Sequence, residues 1–174
     1  MKIHVRVCGQ GDEQALALVG RATFLDAFAG VLAGDDILLH CATRHAPDIY
    51  KNWLADARAR TWLAEIEPGN APVGYLVVAP ASLPLTDLRD DDLEIKRIYL
   101  LHRVQGAGVG LRLMKEAVTF AALAGSRRLL LGVHEKNDRA IAFYERFGFT
   151  RVGTRRFRVG HTDYDDLILG FNIA

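Results

Sequence analysis

Apolar and polar residues repeat along the chain with two different periods, and each period predicts a different element. Alternation, as in "KIHVRV", predicts a strand, whereas an apolar residue every three or four positions predicts an amphipathic helix. The first helix follows in "GDEQALALVGRATFLDAFAG", with Asp12 as its cap. The other predicted elements are a helical stretch over 35–57 split by Pro47, a hairpin of 59–67 and 73–79, strands over 93–100, 127–133, 149–159 and 164–173, and helices over 109–123 and 139–147.

This order of elements predicts one mixed α/β domain, of the α+β kind, over residues 1–174. A chain of 174 residues is long enough to bury one core. Apolar residues make up 50% and charged residues 25% of the chain, and the mean hydropathy is +0.07. These values are typical of a globular protein that folds without a partner.

The net charge and the cysteine content limit the partners and the kinds of site that we expect for this protein. Twenty-two Lys and Arg against 21 Asp and Glu give a net charge of +1, so we expect neither a nucleic-acid nor a membrane partner. Two cysteines, Cys8 and Cys41, are too few for a disulfide scaffold, and His40 and His45 lack further ligands for a metal. Because the start also lacks an apolar leader, we expect a cytoplasmic protein. Its assembly is left open between a monomer and a homodimer.

Three glycines stand where an apolar strand ends and a helical pattern begins, in "RVQGAGVGLRLMKEA". Glycine permits positive φ and lets the backbone approach a ligand, while the first turn of a helix leaves amide N–H groups without internal partners. Aligned amides and the helix dipole bind phosphate without a cluster of basic side chains. Gly106, Gly108 and Gly110 therefore predict either a phosphate cradle or a flexible connection.

Two familiar phosphate motifs fit this stretch poorly. A Walker A loop requires Gly-Lys-Ser or Gly-Lys-Thr, whereas Gly110 is followed by Leu111 and Arg112. A dinucleotide-binding turn requires Gly-x-Gly-x-x-Gly, whereas the spacing here is Gly-x-Gly-x-Gly, although Glu135 after the next strand keeps that alternative open.

The strand before the glycines has an irregular apolar pattern. In "LEIKRIYL", Leu93 and Ile95 share one parity while Ile98 and Leu100 share the other. A regular strand cannot place both pairs on one face, because its side chains alternate. The pattern fits either a β-bulge near Lys96 or Arg97, or a strand buried on both faces.

"QGAGVG" resembles the Gln/Arg-x-x-Gly-x-Gly/Ala signature of the GNAT superfamily of N-acetyltransferases. The match places Gln105, Gly108 and Gly110 at the signature positions. A second segment, "NDRAIAFYERFGF", resembles the family's Asn-x-x-Ala-x-x-Phe-Tyr-x-x-x-Gly-Phe segment. The matching residues of this segment are Asn137, Ala140, Phe143, Tyr144, Gly148 and Phe149.

The resemblance implies a GNAT-like fold, with a central, mostly antiparallel sheet of about seven strands and helices on both faces. It also implies acetyl-CoA as the acyl donor. The pyrophosphate would lie on the amides of Gly106, Ala107, Gly108, Val109, Gly110 and Leu111, beside Gln105. The pantetheine would lie between parted strands and pair with the backbone of Ile98 and Leu100, with Tyr99 between them also in the donor site. Asn137 would bond either the donor or the first turn of its own helix.

Acetyl transfer to an amine requires a neutral nucleophile and a protonated leaving sulfur. The resemblance implies direct attack, with Tyr144 as the acid that protonates the sulfur and Glu94 as the base on the amine side. A phenol is protonated at neutral pH and is a plausible proton donor. The alternative for Tyr144 is core packing, because it belongs to an i, i+3, i+4, i+7 stripe from Ala140 to Phe147. His134 and Glu135 are fallback bases.

The acceptor is predicted only as a class. The aspartates of "DLRDDD" favour a small basic amine such as a polyamine, and the ending of "GHTDYDD" resembles the polyamine acetyltransferase branch. A protein N-terminus or a lysine is the other enzymatic option. A domain that binds acyl-CoA without catalysis, as a sensor or scaffold, would keep the glycine loop but would need neither Tyr144 nor a base.

Overall fold

The computed structural model describes residues 2–173, which form a seven-stranded sheet and five α-helices. The strands are β1 (Ile3–Val7), β2 (Arg60–Ile66), β3 (Ala71–Pro80), β4 (Leu93–Leu100), β5 (Arg128–His134), β6 (Thr150–Val159) and β7 (Thr162–Asn172). The helices are α1 (Glu13–Phe28), α2 (Gly34–Arg44), α3 (Pro47–Ala55), α4 (Val109–Leu123) and α5 (Asp138–Phe147). A short 3₁₀ turn, His102–Val104, precedes the glycines.

The sheet is mostly antiparallel, as the sequence predicts. Its strand order is β1-β2-β3-β4-β5-β7-β6, and among the described strands β4 and β5 alone pair in parallel. α4 is the crossover between these two strands, which a parallel connection requires. The antiparallel alternation of strand direction is therefore interrupted in the middle of the sheet, between β4 and β5, beside the start of α4.

Helices cover both faces of the sheet. On one side, which we call the α4 face, α4 and α5 bury a continuous core that includes Leu113, Met114, Leu129 and Leu131. On the other side, the α1 face, α1 and α3 pack on β2 and β3, and α1 and α2 pack on the hairpin of β6 and β7. The predicted α/β fold, with about seven strands and with helices on both faces of the sheet, is confirmed.

The irregular apolar pattern of β4 is caused by a β-bulge. Arg97 pairs with Val77 of β3 and Ile95 pairs with Val78, so Lys96 is the extra residue. The bulge puts Leu93 and Ile95 on the same face as Ile98 and Leu100, and all four side chains contact the α4-face core. The bulge alternative is confirmed, at one of the two positions predicted.

β4 and β5 separate beyond the bulge. Their pairing covers only Leu93–Ile95 against Leu129–Leu131, although both strands continue further. We call the gap beyond the pair of Ile95 and Leu131 the fork. The fork opens toward the end of the sheet where β4 leads into the glycines.

Asp12 and the final turn differ from expectation. Asp12 occupies the position before α1 but makes no capping bond to the helix, because its carboxylate accepts hydrogen bonds from Arg6 and from the Gly9 amide (2.8 Å).

β7 begins at Thr162 rather than at 164. The tight turn at Gly160, with φ +59°, docks on Asp36, whose carboxylate accepts from the His161 amide at 2.7 Å and from the Thr162 hydroxyl at 2.6 Å.

Arg97, directly after the bulge, ties β4 to the helices of the α1 face. Its guanidinium donates to the Tyr50 hydroxyl (2.7 Å), to the Arg44 carbonyl oxygen (2.5 Å) and to His45 Nδ1 (3.2 Å). His45 Nδ1 also lies 2.8 Å from the Tyr50 hydroxyl, so this nitrogen acts as an acceptor and the imidazole is neutral. The junction of α2 and α3 is thereby fixed over β4.

Two buried histidines predict that the fold loses stability in acid. Burial and nearby arginines lower the pKa of His40 from 6.5 to about 4 and that of His45 from 6.5 to about 2. An unfolded chain takes up these protons below pH 6.5 while the folded chain does not, so protonation favours unfolding. We expect the melting temperature to fall as the pH is lowered from 6.5 toward 4.

The contribution of His45 is measured by comparing variants. His45→Asn, which keeps an acceptor but cannot titrate, should flatten the dependence of melting temperature on pH. His161→Asn, at an exposed turn, is the matched control and should leave it unchanged. Equal slopes for all three proteins would contradict this assignment.

Candidate active site

The glycine loop, residues 105–110, presents exposed backbone amides at the start of α4. Gly106 and Gly108 have φ of +84° and +76°, a left-handed region that glycine adopts without strain. α4 begins at Val109 and no side chain caps it. None of the backbone amides of residues 106–111 donates a hydrogen bond to an acceptor within residues 2–173. Several donors therefore remain available to an external anion.

The loop has the shape and charge of a diphosphate site. A Cβ on Gly106 or Gly108 would meet nothing within 4 Å, so both residues face open space. The positive end of the α4 dipole adds to the attraction for an anion, and no nearby basic cluster is required. Gly110 differs, since a Cβ there would lie 3.6 Å from Leu100 and Phe143 in ordinary contact. Neither conformation nor space demands glycine at that position.

The backbone of β4 exposes hydrogen-bonding groups to the fork. The Leu101 amide donates to Val73 of β3 at 2.9 Å, so Tyr99, two residues earlier, also directs its backbone groups to β3. Ile98 and Leu100 consequently direct theirs into the fork. The Leu100 carbonyl oxygen already accepts from Gln105 Nε2 at 3.1 Å, which ties the glycine loop to the end of β4.

Tyr144 belongs to the α4-face core, together with residues of β4 and β5 on either side of the fork. It is buried, 8% exposed, and its hydroxyl makes no hydrogen bond within the described chain. Burial raises its pKa above the usual 10, and the neighbouring phenol of Tyr99 adds to this effect. Tyr99 approaches from the α1 face, where it stacks on Tyr75. Two phenols thus approach the fork from opposite faces of the sheet.

Asn137 caps its own helix. Its Oδ1 accepts from the Ala140 amide at 3.1 Å, one of the two roles the sequence left open. The segment from Asn137 to Phe149 thereby positions α5, and with it Tyr144, against the fork.

Glu94 lies on the α1 face of β4, just before the bulge, with its side chain 4% exposed. Its Oε2 accepts from Lys96 Nζ at 2.6 Å and from the Ser82 amide at 3.0 Å. Its Oε1 lies 3.8 Å from Arg155 Nη1 and accepts no hydrogen bond in the part of the chain that the structure describes. The second oxygen is therefore available to a water or an amine.

Three residues beside Glu94, namely Arg155, Asp166 and Gly132, are missing from the sequence-based site. Arg155 donates from Nε to Asp166 Oδ2 at 3.1 Å, and its guanidinium lies over Gly132 of β5. The only sequence signal is a glycine inside the apolar strand "RRLLLGV", which marks a close approach but not the group that approaches. These residues come from three strands and meet through strand register.

The acidic loop does not join this site. Asp92 binds Arg127 and Arg128 at 2.9 and 3.1 Å, and Asp87 binds Arg128 at 3.0 Å. Asp90 and Asp91 line a cavity of about 400 Å³ beside Leu123, at the end of α4 opposite the glycine loop. The loop is therefore an anchored, partly neutralised segment away from the fork.

Burial affects the chemistry of both cysteines. Burial raises the pKa of Cys8 from 9.0 to about 12 and also raises that of Cys41, so both thiols stay protonated. Within residues 2–173, no three His, Cys, Asp or Glu side chains gather as metal ligands. In the same range, no helix is both long enough and apolar enough to span a bilayer.

Known proteins share both the sequence pattern and the fold. Residues 33–149 match the acetyltransferase (GNAT) family. An uncharacterized N-acetyltransferase of Mycobacterium tuberculosis H37Rv is 32% identical over 158 residues, which is 91% of this chain and 96% of that protein. The PaiA N-acetyltransferase of Thermoplasma acidophilum, solved in complex with coenzyme A, superposes with a TM-score of 0.80 at 19% identity and covers 99% of both chains.

A probable acetyltransferase of Staphylococcus epidermidis superposes with a TM-score of 0.78 at 11% identity, over 99% of this chain and all of the other. At such low identity the two structures support the fold, while the family rests on the sequence match. Together with the glycine loop and the fork, these similarities establish that the chain belongs to the GNAT family of acetyltransferases, whose acyl donor is acetyl-CoA.

Proposed function

We propose that this protein transfers the acetyl group of acetyl-CoA to the primary amine of a small molecule by direct attack. The single observation that carries the proposal is that the uncapped amides of α4 lie at the open end of the fork. There the β4 backbone has free hydrogen-bonding groups and the buried Tyr144 hydroxyl is close by. The amides would hold the diphosphate and the fork would hold the pantetheine arm. The thioester would then lie next to Tyr144.

The donor site would use the residues that the sequence predicts. The amides of Gly106, Ala107, Gly108, Val109, Gly110 and Leu111 would bind the diphosphate, as their lack of other partners among residues 2–173 supports. Ile98 and Leu100 would pair with the pantetheine, and Gln105 would hold the loop to β4. Tyr99 would not bind the donor through its backbone, which pairs with β3, and its ring would instead line the acceptor side. Asn137 would position α5.

The acceptor would enter from the α1 face, where Glu94 can receive its proton. An alkylamine with a pKa near ~10.4 is neutral at pH 7 in about one molecule in a few thousand, a cost of roughly 4 to 5 kcal/mol. A buried carboxylate with one unbound oxygen can take that proton directly or through water. Tyr144 would protonate the leaving sulfur, which completes the transfer.

Glu94→Gln should move the pH dependence of acetylation to higher pH. The amide cannot accept a proton, so the amine must lose its proton to solvent before it attacks. We expect lower activity at pH 7 with recovery toward pH 9, measured as release of free thiol from acetyl-CoA. Glu116→Gln, on the exposed side of α4, is the matched control. An unmoved profile would remove Glu94 from the mechanism.

The proposed acceptor class is a small basic amine, with polyamines included. Support comes from the carboxylates of Glu94 and Asp166 near the fork rather than from "DLRDDD", because that loop lies elsewhere. Lys96 and Arg155 pair with these carboxylates, so the site is not strongly acidic. A neutral peptide terminus is therefore the alternative acceptor to include in any test.

A thermal-shift comparison tests the donor. Acetyl-CoA should raise the melting temperature, because a ligand that binds only the folded chain stabilises it, while NAD and ATP should have little effect. A panel of spermidine, butylamine and a peptide with a free N-terminus then tests transfer by thiol release. Binding of acetyl-CoA without transfer to any amine would favour a sensor or scaffold, and absence of binding would contradict the proposal.

A further inference from the structure

Beyond the donor site and the proposed base, we propose that Asp166 holds the acceptor amine and that Arg155, lying over Gly132, positions Asp166. The inference rests on the proposed function, since it assigns the acceptor side of the same site. No resemblance of sequence points to these residues.

The strand register places Arg155 beside Asp166, and the Arg155 side chain reaches over Gly132 of β5. Arg155 of β6 pairs with Asp166 of β7, and Asp166 pairs with His134 of β5. Gly132 is the first residue of β5 after its pairing with β4 ends. Gly132 and the Arg155 guanidinium that lies over it therefore border the gap in which the thioester is expected, on the face opposite Tyr144.

Asp166 has one bound and one unbound carboxylate oxygen. Nε and Nη2 of Arg155 both contact Oδ2, each at 3.1 Å. Oδ1 accepts no hydrogen bond from residues 2–173, although Asp166 is only 5% exposed. A carboxylate oxygen that is largely shielded from water but still accessible, and that lacks a donor, is a site that an amine N–H can fill.

Gly132 explains how Arg155 reaches this position. A Cβ on residue 132 would lie 2.6 Å from Arg155 Cζ and 2.7 Å from its Nε, far inside normal contact. Glycine inside a strand weakens the strand, so its presence in "RLLLGVH" fits a requirement for close approach. The guanidinium is also held by the Phe157 ring, 4.6 Å away.

The surroundings suit an amine that must lose a proton. Burial raises the pKa of Asp166, and Arg155 opposes this shift. The charged or titratable groups that influence it are Arg155 on β6, His134 on β5, Tyr99 on β4 and Asp165 on its own strand. Because Arg155 offsets the charge of Asp166, the carboxylate can hold the amine without fixing it as an ammonium ion.

The test is Asp166→Asn, assayed with spermidine and with butylamine at saturating acetyl-CoA. We expect the KM of both amines to rise about tenfold or more, the effect of weakening one charged hydrogen bond, with the KM of acetyl-CoA within about twofold. Asp165→Asn is the matched control, because Asp165 is the adjacent residue on the opposite face and its side chain is 64% exposed. This control should keep both KM values.

Further variants separate a binding role from a structural one. Gly132→Ala, a change on β5, should displace the Arg155 side chain of β6 and should therefore also raise the KM of the amines. Asp166→Glu should recover part of the affinity that Asp166→Asn loses. The thermal shift with acetyl-CoA shows that each variant is folded. An unchanged amine KM in folded Asp166→Asn overturns the inference but leaves the proposed function standing. If the unaltered protein acetylates neither amine, both the proposed function for small amines and this inference fail.

Discussion

Tyr144→Phe should lower kcat by about a hundredfold or more, because general acid catalysis typically contributes roughly 10²–10⁴-fold. The substitution removes only the hydroxyl, and that hydroxyl makes no hydrogen bond within the described chain. Its raised pKa keeps the phenol protonated well above neutral pH, as a proton donor requires. Stability and acetyl-CoA affinity should change little. Single-turnover rates of thiol release, with thermal-shift titrations of acetyl-CoA, measure the two effects separately.

Tyr75→Phe is the matched control for Tyr144. Tyr75 is also buried, and its hydroxyl also lacks a hydrogen-bond partner among residues 2–173, but it faces α1 and α3 rather than the fork. Removing an unpartnered buried hydroxyl should be neutral or stabilising, with turnover unchanged. Equal turnover of Tyr144→Phe and the unaltered protein would exclude the acid role and favour core packing alone.

Gly108→Ala should weaken acetyl-CoA binding by about tenfold to a hundredfold, the range expected when one or more charge-assisted hydrogen bonds are lost. At φ +76° an alanine is strained by roughly 1–2 kcal/mol, so the loop will relax and turn its amides away. The new methyl group also projects into the open space that the diphosphate would occupy. Isothermal titration with acetyl-CoA measures the loss.

Gly125→Ala separates binding from strain. Gly125 follows the other end of α4, has φ +70°, and a Cβ added to it would likewise meet nothing within 4 Å. Both variants should therefore lose a similar free energy of unfolding. Only Gly108→Ala should lose affinity, and an equal loss in Gly125→Ala would mean that the glycine loop is not the binding element.

Local chemistry explains which features the sequence could predict. The apolar parity of a single strand leaves two alternatives, a bulge near Lys96 or Arg97 and a strand buried on both faces, and the structure has the bulge. The glycine loop follows from three closely spaced glycines before a helix. Both are properties of neighbouring residues, where periodicity and glycine conformation dominate. The mostly antiparallel sheet likewise followed from the order of strands and helices and from the family resemblance.

Features formed by strand register escaped prediction. Arg155 and Asp166 are 11 residues apart on adjacent strands, and Glu94 joins them from the far side of β5. The aspartates of "DLRDDD" suggested attraction of a cation, but Asp87 and Asp92 instead anchor their loop to Arg127 and Arg128. Composition shows that such charges exist, whereas only the fold shows which charges meet. The roles of Tyr144 and Glu94, the cytoplasmic location and the homodimer option stay predictions.

A crystal structure with acetyl-CoA would show directly whether the glycine loop and the fork hold the donor. We expect diphosphate oxygens within hydrogen-bond distance of the amides of 106–111, and a pantetheine arm between β5 and the backbone of Ile98 and Leu100. We also expect the thioester sulfur within reach of the Tyr144 hydroxyl. A diphosphate bound elsewhere, or a fork closed by continued pairing of β4 with β5, would contradict the proposed donor site.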